Sequence, residues 1–348
     1  MSASVVHWDE VKKNRVEQGA LCATWTNLGA ATGTVGVGLR RVEIDPGQRS
    51  TPVHVHGAEE ELFFVLAGSG VSWQEGDVYD VGPSDLLVHL PGGKAHTLIA
   101  GDEGLDVLAF GNRVAVETGW LPRAHVTWLG KTWVAAGEGA HPWARELAAG
   151  ELARPAQAPL SAAPTGAPAT ASDGTSAFAA AVLSEDAPAL APVADSQPRP
   201  PSIVNVHDVE EQATRRGDCI RIERDLGEAA GSRRTGLRHV LLPPGTIGAP
   251  PHCHSADEEI FVVLDGDGVL MLGGEDHPVR RGSVVARPPG TRRAHAFRAG
   301  EIGLTYLAYG TREPHDISFY PRSNRIYLRA FGVTARVDPA DFTADETW

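Results

Sequence analysis

Two runs of the chain, ELFFVLAG (61–68) and EIFVVLDG (259–266), are almost wholly apolar, aromatic or β-branched and close on glycine. Two more, PSDLLVHLPGG (83–93) and RGSVVARPPG (281–290), are short apolar runs bracketed by glycine and proline. Runs of this length, closed by turn residues, read as buried strands rather than helices. Their spacing predicts an all-β sandwich or barrel. The 39 glycines and 25 prolines supply the turns that such a fold needs.

The pattern occurs twice. GLRRVEIDPG (38–47) aligns with GLRHVLLPPG (236–245), and PVHVHGAEEELFFVLAGSG (52–70) with PPHCHSADEEIFVVLDGDG (250–268), at an offset of 198 residues. LAFGNR (108–113) aligns with LAYGTR (307–312) at an offset of 199. The repeat covers about 5–130 and 203–329. Between the copies, from Pro155 to Pro201, 24 of 47 residues are alanine or proline, the composition of a semi-flexible linker. HPWARELAAGEL (141–152) has helical composition, and FAAAVL (178–183) is a short apolar run. The division is a first domain at 1–134, a linker at 135–202 and a second domain at 203–348.

On a strand, His54 and His56 face the same side, because side chains alternate with a period of two. A turn at Gly57-Ala58 folds Glu61 back beside them. His96 follows the PGGKAH turn. His252, His254, Glu259 and His295 repeat the arrangement with nearly the same spacings. Three neutral imidazoles and one carboxylate form a mixed nitrogen and oxygen set. It suits six-coordinate Fe(II), Mn(II), Co(II) or Ni(II), with two positions left for substrate, water or oxygen. A structural zinc site is more often tetrahedral, with cysteine ligands.

These blocks resemble the two motifs of the cupin superfamily. The first motif is met by Gly47, His54, His56, Glu61 and Gly68, and by Gly245, His252, His254, Glu259 and Gly266, with six rather than five residues before the first histidine. The second is met by Pro91, Gly93 and His96, and by Pro288, Gly290 and His295. Its leading glycine fits at Gly282 but stands three residues early at Gly82, and Ala100 and Ala299 replace its terminal asparagine. The resemblance implies a bicupin: two tandem double-stranded β-helix, or jelly-roll, barrels joined by the Ala/Pro-rich linker. It implies one divalent transition metal per barrel, held by His54, His56, Glu61 and His96 and by His252, His254, Glu259 and His295. Fe(II) is favoured over Mn(II), Ni(II) or Zn(II). The resemblance leaves function open, since cupins include oxygenases, decarboxylases, isomerases, hydrolases, lyases and binding proteins; the leading expectation is a dioxygenase or oxidoreductase acting on a small organic substrate in an apolar barrel pocket. Glu61 or Glu259 would accept a proton, as the resemblance to flavonol-type cupin dioxygenases suggests. A redox-neutral isomerase, decarboxylase, lyase or hydrolase is the alternative, and a binding protein without turnover is the third reading. The resemblance also implies that the halves pack back to back, with a possible homo-oligomer.

Alternation from Glu61 and Glu259 places Phe63, Val65, Phe261 and Val263 on the ligand side, and Leu98 and Phe297 share the side of the last histidines. That predicts apolar pockets and an organic substrate rather than a small dianion. The same period sends Glu60 and Glu258 to the surface and Cys253 away from the ligands. Arg40 and Arg238 read as structural ion-pairing or exposed residues, with an inward cation that holds an anionic substrate by a bidentate pair as the sharper alternative. His89 reads as a hydrogen-bonded or exposed histidine, with a general base as the sharper alternative. Trp73, His89 and Lys94 are matched in the second half by Met271, Ala286 and Arg292.

Net charge is −13, from 31 basic and 44 acidic residues, which argues against nucleic acid or an anionic membrane as partner. No apolar stretch is long enough to span a bilayer. Cys22, Cys219 and Cys253 cannot build a disulfide framework, and the start lacks a secretory h-region. A reduced, cytoplasmic protein is the expectation.

Overall fold

The computed structural model describes residues 5–130, 132–135 and 196–338. The stretches 141–152 and 178–183 lie outside the described residues. Each repeat forms an eight-stranded antiparallel sheet that curls over a four-stranded one. In the first half the sheet centre is the strand Glu61–Gln74, paired with Asp85–His89 on one side and His96–Asn112 on the other. In the second it is Glu259–Leu272, between Ser283–Arg287 and His295–Thr311. The smaller sheets hold Val55–His56 and Cys253–His254, each at one edge. The fold is all-β with two jelly-roll barrels, as the run lengths predict.

These central strands are apolar on both faces because both faces are buried. Phe63 and Val65 point into the first barrel with Val42, Leu87 and Leu98. Leu62 and Phe64 point the other way, into a cluster that also contains Ile260, Val262 and Leu307 of the second half. Phe110 meets Tyr309 across this cluster, with ring centroids 4.9 Å apart. The halves therefore pack back to back through the outer faces of their large sheets.

Two further devices tie the halves together. The strand Val5–His7 pairs with Ser283–Arg287 in the second sheet, and Ile203–Asn205 pairs with Asp85–His89 in the first. Arg199, near the end of the Ala/Pro-rich segment, forms a bidentate pair with buried Asp85, at 2.8 Å for each contact. Short helices Leu28–Thr32 and Leu226–Ala229 sit at equivalent places, capped by Asn27 and Asp225, and send Leu28 and Leu226 into the shared cluster.

Glu60 and Glu258 correct the surface expectation. They are 0% and 2% exposed. Alternation does turn them away from the ligand face, but the face they reach is covered by the other half. Glu60 accepts hydrogen bonds from the Arg233 and Arg234 amides at 2.9 and 3.2 Å and from the Ser232 and Thr235 hydroxyls. Glu258 accepts from the amides of Val35 at 2.8 Å, Gly36, and Val37 at 2.9 Å. Each carboxylate thus satisfies a loop of the opposite half.

The motif glycines Gly68 and Gly266 sit beside irregularities in the central strands, at φ 78°. A Cβ there would lie 2.2 Å from the Gly104 carbonyl oxygen and 2.1 Å from that of Gly303. Only glycine fits both the backbone and the space. Among the described residues no helix is long and apolar enough to cross a membrane.

Replacing Glu60 or Glu258 by alanine leaves several buried donors without an acceptor. Each substitution is expected to cost about 3 kcal/mol of stability. Scanning calorimetry checks this; a melting temperature unchanged in both variants would mean that the cross-links add nothing.

Candidate metal centres

In each barrel the first and last histidines are locked across a narrow backbone pair. His96 donates its amide to the His54 carbonyl at 2.8 Å, and His54 donates back at 3.2 Å. His295 and His252 do the same at 2.8 and 3.1 Å. The second histidine enters from the small sheet and the glutamate from the central strand. Three separate segments, carrying the histidine pair, the glutamate and the last histidine, thus bring side chains to one point.

The geometry converges on the glutamate. Oε2 of Glu61 lies 3.1 Å from Nε2 of His96 and 3.6 Å from Nε2 of both His54 and His56. Oε2 of Glu259 lies 3.0 Å from Nε2 of His295 and 3.5 Å from Nε2 of His254. His252 completes that set, its ring centroid 4.8 Å from that of His295 and 5.1 Å from that of His254. The structure brings together all eight residues singled out in the sequence.

The opposite ring nitrogens decide the tautomer. Nδ1 of His54, His96 and His252 donates to the carbonyls of Pro52 (2.9 Å), Lys94 (3.1 Å) and Pro250 (2.8 Å). Nδ1 of His56 meets Glu117 at 3.3 Å, and Nδ1 of His254 meets Asp316 at 2.7 Å. With Nδ1 so engaged, the Nε2 atoms of these rings are the ones that face the glutamate. That is how ligand histidines are oriented by their outer partners. Nε2 of His254 and Oε2 of Glu259 are buried without a hydrogen-bond partner, a cost that a cation would remove. The donor set fits a divalent ion.

Electrostatics agree. Burial works to raise the pKa of Glu61, but the three histidines hold it well below the carboxylate range. Glu259 is lowered in the same way, chiefly by His295 against the cost of burial. Burial, with His295 nearby, lowers His252 to about 4. Burial also lowers His96. His56 goes the other way: hydrogen bonds to Glu117 and Glu61 outweigh burial and raise it to about 10. Each barrel holds an ionised carboxylate among imidazoles, an anionic seat for a cation.

Glu117 and Asp316 were not visible as site residues in the sequence. Each lies roughly sixty residues from the histidine it contacts and belongs to no motif. Glu117 also accepts the amides of Gly57, Ala58 and Glu59 at 2.9, 3.1 and 2.8 Å. Asp316 accepts those of Ala256 and Asp257 at 2.9 and 3.1 Å. One carboxylate therefore shapes the loop between the second histidine and the glutamate and fixes that histidine's ring. The repeat itself carries the available signal, since each acid stands in an equivalent place.

His89 is neither exposed nor hydrogen-bonded at Nε2. It stacks on His96, ring centroids 3.6 Å apart and planes at 8°. Burial drives its pKa well below the ordinary value, so it stands there neutral. Its counterpart is Arg287 rather than Ala286, because Glu61 pairs with His89 and Glu259 with Arg287. Cys253 is a buried, free thiol.

The cavities differ. The first is about 370 Å³ and is walled in part by Trp25 and Trp128. Arg40 lines it and lies 5.8 Å over Trp25. The second is about 980 Å³ and is lined by six arginines. The expectation of apolar surroundings for the metal-type residues therefore fails at the mouth of the second cavity. The period-two residues Phe261, Val263 and Phe297 do pack inside the barrel, but the mouth is built by flanking strands that the period does not describe.

The family model of the cupin domain matches residues 40–110 and 238–308. The fold is similar to that of a deletion mutant of oxalate decarboxylase from Bacillus subtilis, with a TM-score of 0.54 at 15% identity over 92% of this chain and 80% of that one. It is similar to the formate complex of Lactobacillus farciminis oxalate decarboxylase, with a TM-score of 0.53 at 14% identity over 90% and 87%. A putative sugar phosphate isomerase from Acidithiobacillus ferrooxidans matches 41% of this chain and 93% of its own, at 26% identity and a TM-score of 0.38. No curated protein matches in sequence. With two matched copies of the domain, two barrels and two equivalent sets of residues, the chain belongs to the cupin superfamily as a bicupin.

Proposed function

We propose that the protein is a metal-dependent enzyme acting on a small organic molecule, that it is an oxygenase in class, and that Fe(II) is its resident metal. The observation behind this reading is the convergence of three imidazoles and one carboxylate oxygen in each barrel, with the outer ring nitrogens of five of the six histidines tied down and only Nδ1 of His295 without a partner. His54, His56, Glu61 and His96 would hold one ion, and His252, His254, Glu259 and His295 the other. Bound Fe(II) would supply a redox-active Lewis acid with two open positions. The residues of the chain do the rest. Phe261, Val263 and Phe297 keep water from the barrel interior. Glu61 or Glu259, once swung off the ion, would accept a proton from substrate at its carboxylate.

A redox-neutral reaction is the second reading. It is favoured by the arginine-lined second cavity, which suits an acidic substrate, and by a fold shared with proteins named as decarboxylases. Oxygen demand separates the two.

Protein purified without a chelating tag is expected to carry about two equivalents of iron per chain, lost on combining His54→Ala with His252→Ala. Mass spectrometry of the metal content measures this. Manganese or nickel at that level, with turnover unaffected by removing oxygen, would favour the redox-neutral reading; no metal uptake on anaerobic reconstitution would sink both.

Asp316→Asn and Glu117→Gln are expected to weaken metal affinity roughly 10–100-fold, each in its own barrel. Competition with a fluorescent chelator reads this site by site. Unchanged affinity in both variants would reduce these acids to loop supports.

A further inference from the structure

The barrels share their metal-type residues but not their mouths. The second cavity is lined by Arg216, Arg221, Arg238, Arg312, Arg325 and Arg329 against three carboxylates, Glu223, Asp257 and Glu259. The first is lined by Arg40 and Arg113 against four glutamates. The difference arises at equivalent positions. Arg216 pairs with Cys219 across a hairpin as Gln18 does with Leu21. Tyr320 pairs with Arg325 as Leu121 does with Val126. Neutral residues in the first barrel stand where cations stand in the second.

Internal pairing does not cancel these cations. Arg221 takes Glu223 at 3.1 Å, Arg329 takes Asp257, and Arg238 and Arg312 share the single carboxylate of Asp225, each at 3.2 Å. No acidic side chain among the described residues pairs with Arg216 or Arg325, and Arg325 faces Arg336 on its other side. Tyr320 links this surplus to the metal-type residues. Its ring stacks on His252 at 5.5 Å and 25°, it pairs with Arg325 across its hairpin, and it lines the same cavity as Arg216. Arg216 and Arg325 are exposed at the cavity mouth, and guanidinium groups so placed, without an acidic partner, suit bidentate capture of carboxylate or phosphate from solution.

We propose that the second barrel is built for an organic anion with two acid groups, one end at the His252, His254, Glu259 and His295 set and the other held by Arg216 and Arg325 beyond the Tyr320 ring. The first barrel, smaller and flanked by indoles, takes a different ligand. The placement of the reacting end rests on the metal reading above; the arginine end does not.

The test is isothermal titration of the metal-loaded full chain at low ionic strength. The probes are glutarate and 2-phosphoglycolate, with uncharged glutaramide as control. At least one anion is expected to bind once per chain, with affinity about tenfold weaker in the Arg216→Ala/Arg325→Ala double variant. The double lysine variant, which keeps the charge but not the bidentate fork, should fall between the parent and the double alanine variant, and Arg113→Ala in the first barrel should change nothing. The better of the two anions tells carboxylate from phosphate. Binding of neither anion, equal binding by the double alanine variant with its circular dichroism intact, or loss in Arg113→Ala overturns the proposal. Metal content measured on the same samples separates the two ideas. Full metal with no anion binding sinks this inference alone, and arginine-dependent anion binding without metal sinks the metal reading alone.

Discussion

Everything else in the molecule depends on two strands being buried on both faces. Glu61–Gln74 and Glu259–Leu272 each send alternate residues into a barrel and into the partner half. The first residue of each strand is a glutamate facing the imidazoles, and the residue just before it is a glutamate gripping a loop of the other half. Adjacent carboxylates thus serve opposite faces. The position of the candidate ligand is fixed by how the halves dock, and the docking cannot shift without moving the ligand. Such coupling follows from close packing, in which small displacements are transmitted rather than absorbed.

The fold and the eight metal-type residues were legible because both follow from local rules. Period two assigns a face, glycine and proline mark ends, and an internal repeat supplies a second copy of each signal. What was illegible depends on contacts between distant segments. Glu60 follows the alternation rule faithfully, but no local rule says that its face is covered. Glu117 and Asp316 reach their histidines from loop positions just before the strands Thr118–Leu121 and Ile317–Tyr320, with no chemical motif. The arginines of the second mouth come from flanking hairpins, where a polar residue at a strand edge looks like any solvated side chain. His89 was misread because stacking on another imidazole is a tertiary fact.

Duplication has left the metal-type sets alike while the mouths diverged. The caps of the two short helices show how small the steps are. Asn27 and Asp225 do the same capping work, at 3.1 and 3.0 Å. Only the aspartate also holds Arg238 and Arg312. One acid-to-amide difference therefore keeps the local helix and changes the charge at a cavity wall. Divergence of this kind is cheap because a cap needs only an acceptor, whereas an ion pair needs a charge.

The exchanged strands bear on how the protein is made. Val5 pairs with Val285, so a strand of the first half waits for a partner made much later in synthesis. The edge of Asp85–His89 likewise stays open until Ile203–Asn205 has been synthesised. During translation the first half carries a bare sheet edge and a bare apolar face, the surfaces on which chains join one another by mistake. The long segment between the halves lets the second copy arrive as a tethered neighbour. Its length adds little to the entropy of closure, which grows only with the logarithm of loop length. Tethering therefore favours the correct partner over a stranger at the moment when the nascent chain is most exposed.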